Sequence, residues 1–510
     1  MKAIKGGIVR AAALSAVLSM AAAILVFSFY FNPVLGDEGV TAMDGLRISN
    51  GEVPQRDFFQ FIPPLAGYIQ ALSFRIFQPS VFSVRIVGFL YGILLVFFSF
   101  LLYRQFISDS WVLAAILSIF IKYGVAPWFY GSHHWLCDIL LICGAWRLVA
   151  GSRTGSGVLP AASGVILGLA AFSLQDQGGY AVIGVLLAGT LTGERKLFLT
   201  AGMSALCVFT IASIPFAVLA GPSRLIEDWV LFPLVNYKEP FGNRFTISSY
   251  WQNFSNGVGL KFFWKAPFYT SSIFVAAVFL FLSPILCPLS LGWIYIRKVL
   301  SKKEFLILLV FSLSFLFAAF HRLAMTNLSW AFPAALLPVF IVIDRMAGSG
   351  NRSARIAAYS VAGTTIAAML LFGALRISML TGETARAVET PRGVYRMLNA
   401  RDASDLQELV TAVNKNVAEG EPLFATGYIP LVNFMTGHPN PTRFNFMMPG
   451  GYYSLEQVSE WNDAVNRKKV IWGVGEKAVF TAEASAKLLP EYEIVFQNRK
   501  YMLFRRKAGE

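Results

Sequence analysis

The chain has 510 residues, of which 56% are hydrophobic and only 14% charged, with a mean hydropathy of +0.58. That balance excludes a soluble globular protein of this length and indicates a polytopic membrane protein. The net charge of +14 comes from short basic clusters between apolar runs, a distribution that speaks against nucleic acid as a partner. The cysteines, Cys137, Cys143, Cys207 and Cys287, lie in apolar runs without metal-ligand spacing, so neither a disulfide framework nor a zinc site is indicated.

In chain order, a basic start, "MKAIKGGIVR", precedes an apolar run ending at Phe31. A cleaved signal peptide is one reading; the run has about the ~20 residues a spanning helix needs and other runs follow, which favours an uncleaved first helix. Further apolar runs occur near 81–103, 111–130, 135–150, 158–174, 179–193, 197–219, 267–296, 305–320, 327–343 and 355–375, giving eleven expected spans. With the N-terminus cytoplasmic, one set of connections carries Arg104, Arg147, Arg153, Arg195, Lys196 and the basic clusters at 297–303 and 345–355. These loops are short and basic, as the positive-inside rule requires. The other face then receives residues 32–80, residues 220–266 and everything after about 376.

The expected organisation is a transmembrane domain over residues 1–375 and a soluble α/β domain over 376–510. In the latter, "DASDLQELVTAVNKNVAEG" reads as an amphipathic helix capped near Asp402 or Ser404. "EPLFATG", "KKVIWGV", "YEIVFQN" and "KYMLFRR" read as strands. An odd span count places this domain outside. The runs flanking "QDQGG" at 175–179 are short, so their polar tip is expected below the outer surface, inside a cavity.

The first outer loop is the most informative segment. "FNPVLGDEGV" sets Asp37 and Glu38 directly after the first helix, where a helix C-terminus disfavours anions. An Asp57-Phe58 step follows, then Pro63, Pro64 and Leu65 in an apolar stretch over 58–77 that suits a helix lying in the membrane interface. Arg85 opens the second span.

In this order the residues resemble the C-type, polyprenyl-phosphate-dependent glycosyltransferases: protein O-mannosyltransferases, lipid A aminoarabinose transferases and the bacterial galacturonosyltransferase-like group. The likeness covers roughly residues 32–220, while the later spans agree in layout only. It implies the C-type architecture of about eleven transmembrane helices in a bacterial-type inner membrane, with the C-terminal domain periplasmic. It also implies a polyprenyl-phosphate-linked sugar as donor, Asp37 as the base, and in-line attack that inverts the anomeric centre. Chemistry gives a carboxylate here the same work, because an acceptor hydroxyl must lose its proton as the new bond forms. Glu38 either supports Asp37, helps bind a divalent metal, or faces away. A solvated loop with two incidental acids is the bland alternative.

"YGSHHWLCDIL", residues 130–140, supplies Asp138, His133 and His134. The histidines suit a donor phosphate, a metal or the acceptor, and Asp138 matches an acid that the family often has here; an Asp in a first helical turn is also simply favourable. The leaving phosphate needs a cation, for which Arg322, beside His321, is the candidate, with interfacial anchoring as the alternative. Lys122, inside the third span, must face a cavity or snorkel. The family commonly has a lysine at the "QDQGG" tip. Here Gln175 and Gln177 offer amide donors instead, and Asp176 an acceptor.

The loop 221–266 mixes aromatics with lysines and reads first as membrane-interface anchoring. The loop "TGHPNPTRFNFMMPGGYY" is placed to overhang the site. The leading expectation is a membrane glycosyltransferase acting on a lipid, glycan or protein acceptor at the outer face, with a divalent metal left open. A transporter or flippase of lipid-linked sugars is the rival, because short paired spans with polar tips also mark transport sites. A sensor or adhesion protein whose soluble domain carries the function is the third reading.

Overall fold

The computed structural model describes residues 2–30, 33–121, 130–235, 267–320, 325–381, 385–448, 452–478 and 491–507. Helix α1, Lys2–Tyr30, leads into a turn at Gly36, after which α2, Asp37–Ser49, begins. Asp37 and Glu38 therefore occupy the first turn of a new helix, where unpaired backbone N–H groups favour negative charge. The helix-end penalty expected from the sequence does not arise. Helix α3, Leu65–Phe77, starts directly behind Pro63 and Pro64, because proline suits the entry to a helix and not its interior. Helix α4, Val81–Tyr103, is opened by a reciprocal Ser80 and Ser83 capping box.

Asp109 caps the short α5, Ser110–Phe120, and Ser132 caps α6, His133–Thr154, which ends at Gly155 in the left-handed region. Helices α7, Val158–Ala171, α8, Gln175–Leu191, and α9, Arg195–Ala220, complete the first half of the bundle. Ser163, Gly164 and Gly168 let α7 lie close to α6 and α9: a Cβ at Gly164 would sit 2.2 Å from the Ala201 carbonyl oxygen.

The expectation of eleven spans is corrected. Among the described residues four helices are long and apolar enough to cross a membrane: Val81–Tyr103, His133–Thr154, Arg195–Ala220 and Arg352–Ala374. The pair Leu328–Ala335 and Leu337–Ala347, bent by 41°, makes a fifth if counted as one span. The physical reason is that an apolar run does not fix where its helix stops. The run at 158–174 yields a 14-residue helix. At 1.5 Å per residue it reaches roughly 21 Å, short of the ~30 Å hydrocarbon layer. The parity argument from an odd count falls with the number. The chain is a polytopic helical membrane protein with a C-terminal mixed α/β domain.

That domain opens with an antiparallel hairpin, β1 Arg386–Thr390 and β2 Gly393–Met397, which sequence reasoning missed. A four-stranded sheet follows in the order β3-β4-β6-β5, formed by β3 Leu423–Thr426, β4 Trp472–Glu476, β5 Tyr492–Gln497 and β6 Tyr501–Arg506. β3 and β4 are parallel and the other pairs antiparallel. Helix Ala400–Asn416 is capped by Asn399, not by Asp402 or Ser404, and buries Leu406, Leu409, Val410 and Val413 against Val474 and Leu503. The same apolar cluster contains Ala42 and Met43 of α2, Phe74 of α3 and Val84 of α4. The sheet domain and the first outer loop thus share one core. Their contact sets the site.

Candidate functional site

The acids of "GDEG" stand where α2 meets residues 428–431 of the C-terminal domain. The two glycines make the approach possible. A Cβ at Gly36 would lie 2.3 Å from the Tyr428 ring, and one at Gly39 would lie 2.2 Å from the Leu431 backbone nitrogen. That nitrogen donates to the Leu35 carbonyl at 3.1 Å, fastening the junction.

Asp37 is half-buried, and each of its carboxylate oxygens accepts from a phenol. Tyr130 donates to Oδ2 at 3.1 Å, and Tyr428 donates to Oδ1. Tyr130 comes from the connection before α6 and Tyr428 from the loop after β3, so one carboxylate joins the bundle, the first outer loop and the sheet domain. Burial and the adjacent Asp37 carboxylate hold the Tyr130 hydroxyl well above the usual phenol range, so it stays a donor.

Glu38 turns the other way and is fully buried. The Arg85 guanidinium meets it through Nε at 2.7 Å and Nη2 at 2.9 Å, and the Val34 N–H adds a third contact at 2.8 Å. The guanidinium lies 5.3 Å from the centre of the buried Tyr395 ring of β2. Burial raises the Glu38 carboxyl above the usual glutamate range, and Arg85 opposes that rise. With Glu38 committed to Arg85 and Asp37 to two phenols, these residues do not fit a divalent cation. Among the described residues no group of three or more His, Cys, Asp or Glu side chains gathers into a metal-binding set.

The remaining sequence candidates fall into three places. Asp138 is buried in α6 and accepts from the Gln177 side-chain amide at 2.7 Å, which links the two polar helix ends. Gln175 donates to the carbonyls of Phe61, at 2.8 Å, and Trp229, at 3.1 Å, so the "QDQGG" tip is tied beneath the first outer loop. His134 stacks on Trp330 with ring centres 3.6 Å apart, and His133 lies beside it at 4.4 Å. Asp57 is held by Arg56 through two hydrogen bonds of 2.9 and 2.7 Å and by the Val53 N–H, which keeps its carboxyl below the usual aspartate range. Lys122, His321 and Arg322 lie outside the described residues, as do 236–266 of the second outer loop and 449–451 of the Pro/Gly/Asn-rich loop.

A second polar junction lies further along α2. Asp44 is buried and accepts from Asn445 at 2.6 Å and Gln60 at 3.0 Å, while Arg47 donates to the Thr442 carbonyl at 3.0 Å and pairs with Glu52 at 2.7 Å. A cleft of about 410 Å³ opens beside it, lined by Arg47, Asp57, Arg443, Glu460, Arg467 and Lys468 among others. Burial lifts the Asp44 carboxyl to about 7, against the opposing pull of Asn445 and Arg47. Between the ordinary aspartate value and about 7 the native state holds a proton that the unfolded chain has lost. Stability from this group is therefore greatest at low pH and is lost as pH rises through about 7. The thermal midpoint of detergent-purified protein is expected to fall over that window, and Asp44→Asn is expected to flatten the fall. An equally steep profile in the variant would assign the dependence to another group.

Tyr130, Tyr428, Asp44 and Asn445 were missed as site residues. Tyr428 reaches Asp37 across 391 positions and Asn445 reaches Asp44 across 401, and no local spacing encodes such pairs. Tyr130 lies in the same segment as His133 and His134, and nothing local marks its phenol as a partner of Asp37, 93 positions away. Arg85 was singled out at the start of the second span, without Glu38 as its partner.

No family model matches the chain, and no curated protein matches it in sequence. Solved structures do share its fold. ArnT from Cupriavidus metallidurans in the apo state superposes with a TM-score of 0.58 at 14% identity, covering 98% of this chain and 98% of that one. The same protein bound to undecaprenyl phosphate gives 0.56 at 13% identity, over 96% and 97% of the two chains. The oligosaccharyltransferase of Archaeoglobus fulgidus, in complex with Zn and sulfate, gives 0.54 at 12% identity, over 96% of this chain and 73% of that one. At such identities the likeness establishes the fold.

Proposed function

We propose that this chain is a membrane glycosyltransferase that moves a sugar from a polyprenyl-phosphate donor to an acceptor hydroxyl, with inversion at the anomeric carbon. The observation that carries the reading is Asp37: a half-buried carboxylate at the junction of bundle, loop and sheet domain, with each oxygen already accepting from an O–H group. A carboxylate so placed can take the proton of an incoming hydroxyl. The acceptor oxygen bonds to the anomeric carbon, the carbon–oxygen bond to phosphate breaks, and the phosphate leaves with the electron pair. The proton ends on Asp37.

Glu38 and Arg85 hold the N-terminus of α2 against α4 and so fix the base. Asp138, Gln175, Gln177, His133 and His134 lie on the donor side of this reading, with Asp57 nearer the loop's outer end. Lys122, His321 and Arg322 supply cationic candidates for the phosphate. The fold supports the donor class, since one structure sharing it is of a protein bound to undecaprenyl phosphate. The basic connections support a cytoplasmic N-terminus; with α1 as the first span, the first outer loop and the C-terminal domain that shares its core are read as lying on the extracytoplasmic face of a bacterial-type inner membrane.

The test is reconstitution. Purified protein, given the polyprenyl-phosphate-sugar fraction from cells lacking it together with their envelope glycans and lipids, is expected to release polyprenyl phosphate and form a new glycosidic bond of inverted configuration. Movement of lipid-linked sugar across vesicles without any new bond would replace this reading with a transporter.

A further inference from the structure

Each oxygen of Asp37 accepts from a phenol, so one approach to each is taken, and a hydroxyl arriving from the sheet-domain side meets the position that the Tyr428 hydroxyl now holds. We infer, resting on the glycosyltransferase reading, that the Tyr428 hydroxyl marks the acceptor-hydroxyl subsite and keeps water off Asp37 until an acceptor takes its place.

The two phenols are not equivalent. Tyr130 is 1% exposed, and its backbone is pressed against α4, where a Cβ at Gly88 would come within 2.9 Å of the Tyr130 carbonyl carbon. It has no room to leave. Tyr428 is half-exposed and follows Gly427, whose φ of +80° turns the chain out of β3. Its backbone N–H is fixed by the Glu476 carboxylate at 3.1 Å, so the ring can swing while the loop stays anchored. On one side the ring lies directly against Gly36, where a Cβ would come within 2.3 Å of it, and on another it packs edge-on against Phe446 at 4.8 Å. The phenol has the donor geometry of an acceptor hydroxyl, and the domain that bears it is the one over the site.

This arrangement answers a chemical hazard. With donor bound and the base open, water would attack the anomeric carbon. Its proton would pass to Asp37, the carbon–phosphate oxygen bond would break, and free sugar and polyprenyl phosphate would be lost without transfer. A phenol on Oδ1 occupies the approach that such a water would take from the sheet-domain side. Tyr428 is thus a positioning residue: it acts through Asp37.

The test uses the full chain in detergent, with the polyprenyl-phosphate-sugar fraction from cells lacking the protein as the probe, first without acceptor and then with it. Tyr428→Phe removes only the hydroxyl and keeps the ring. Gly36→Ala keeps the phenol but places a methyl group where the ring now sits. Both are expected to raise acceptor-independent release of free sugar by about tenfold or more and to lower the acceptor KM.

Unchanged release of free sugar and an unchanged acceptor KM in both variants, with Asp37→Asn inactive, would overturn the inference and leave the glycosyltransferase reading standing. Full transfer by Asp37→Asn would remove that reading itself. Thermal midpoints near wild type exclude misfolding as the source of either result, and a collapse in one variant leaves the other to decide.

Discussion

Asp37→Asn is expected to lower sugar transfer by about 10²–10⁴-fold, the usual contribution of a positioned general base. The substitution is close to isosteric and keeps one oxygen to accept from a phenol, while the amide nitrogen can donate to the oxygen of the other. The packing around α2 is therefore preserved and what disappears is the capacity to hold a proton. The loss should fall on kcat, with the thermal midpoint and membrane insertion near wild type. Turnover by the Asn variant within a few-fold of wild type would show that the proton goes elsewhere.

The second large effect concerns stability. Glu38 is 0% and Arg85 1% exposed, and their pairing is the principal compensation for burying either charge. Arg85→Met leaves a buried carboxylate, and Glu38→Leu leaves a buried guanidinium. Each single change is expected to cost roughly 3–5 kcal/mol, the range for breaking a buried pair from one side. The double variant removes both charges together and should recover most of that loss, because two apolar side chains of similar volume need no desolvation to be repaid. Unfolding of the purified proteins by heat or denaturant measures this cycle. A double variant as unstable as the worse single one would mean that the site relies on the charges for geometry rather than for mutual neutralisation.

How far the sequence could be read follows the range of the forces involved. Mean hydropathy and the spacing of apolar runs speak for the membrane class because they are averages over many residues. The strands of the sheet domain were visible because β3, β4, β5 and β6 are short runs of apolar and β-branched or aromatic residues bounded by turns.

The number of spans was not legible. A run of apolar side chains tells what a segment avoids, whereas the ends of each helix are set locally, its start by caps such as Asp109 or Ser132 and its stop by Gly155 in α6, and by packing. The importance of Asp37 was legible from its company in the first outer loop. The helix it belongs to was assigned wrongly: it begins α2 and does not end the first span, so the electrostatic objection to an acid there reverses sign. Tyr428 and Asn445 were beyond reach, since both arrive from the far end of the chain and meet α2 only after folding.

The apolar cluster that unites Ala42, Met43, Phe74 and Val84 with Leu406, Val410, Leu431 and Leu503 bears on how such a protein can be divided or diversified. A module that hangs on a linker can be exchanged freely. Here, cutting the chain after the last bundle helix would strip a shared interior and bare those loop residues to water. Chimeras that trade only the C-terminal part should misassemble, while those that carry residues 33–84 along with it preserve the seam. Variation at this junction is therefore constrained to come in matched pairs, one change on each side of a surface that the chain order hides.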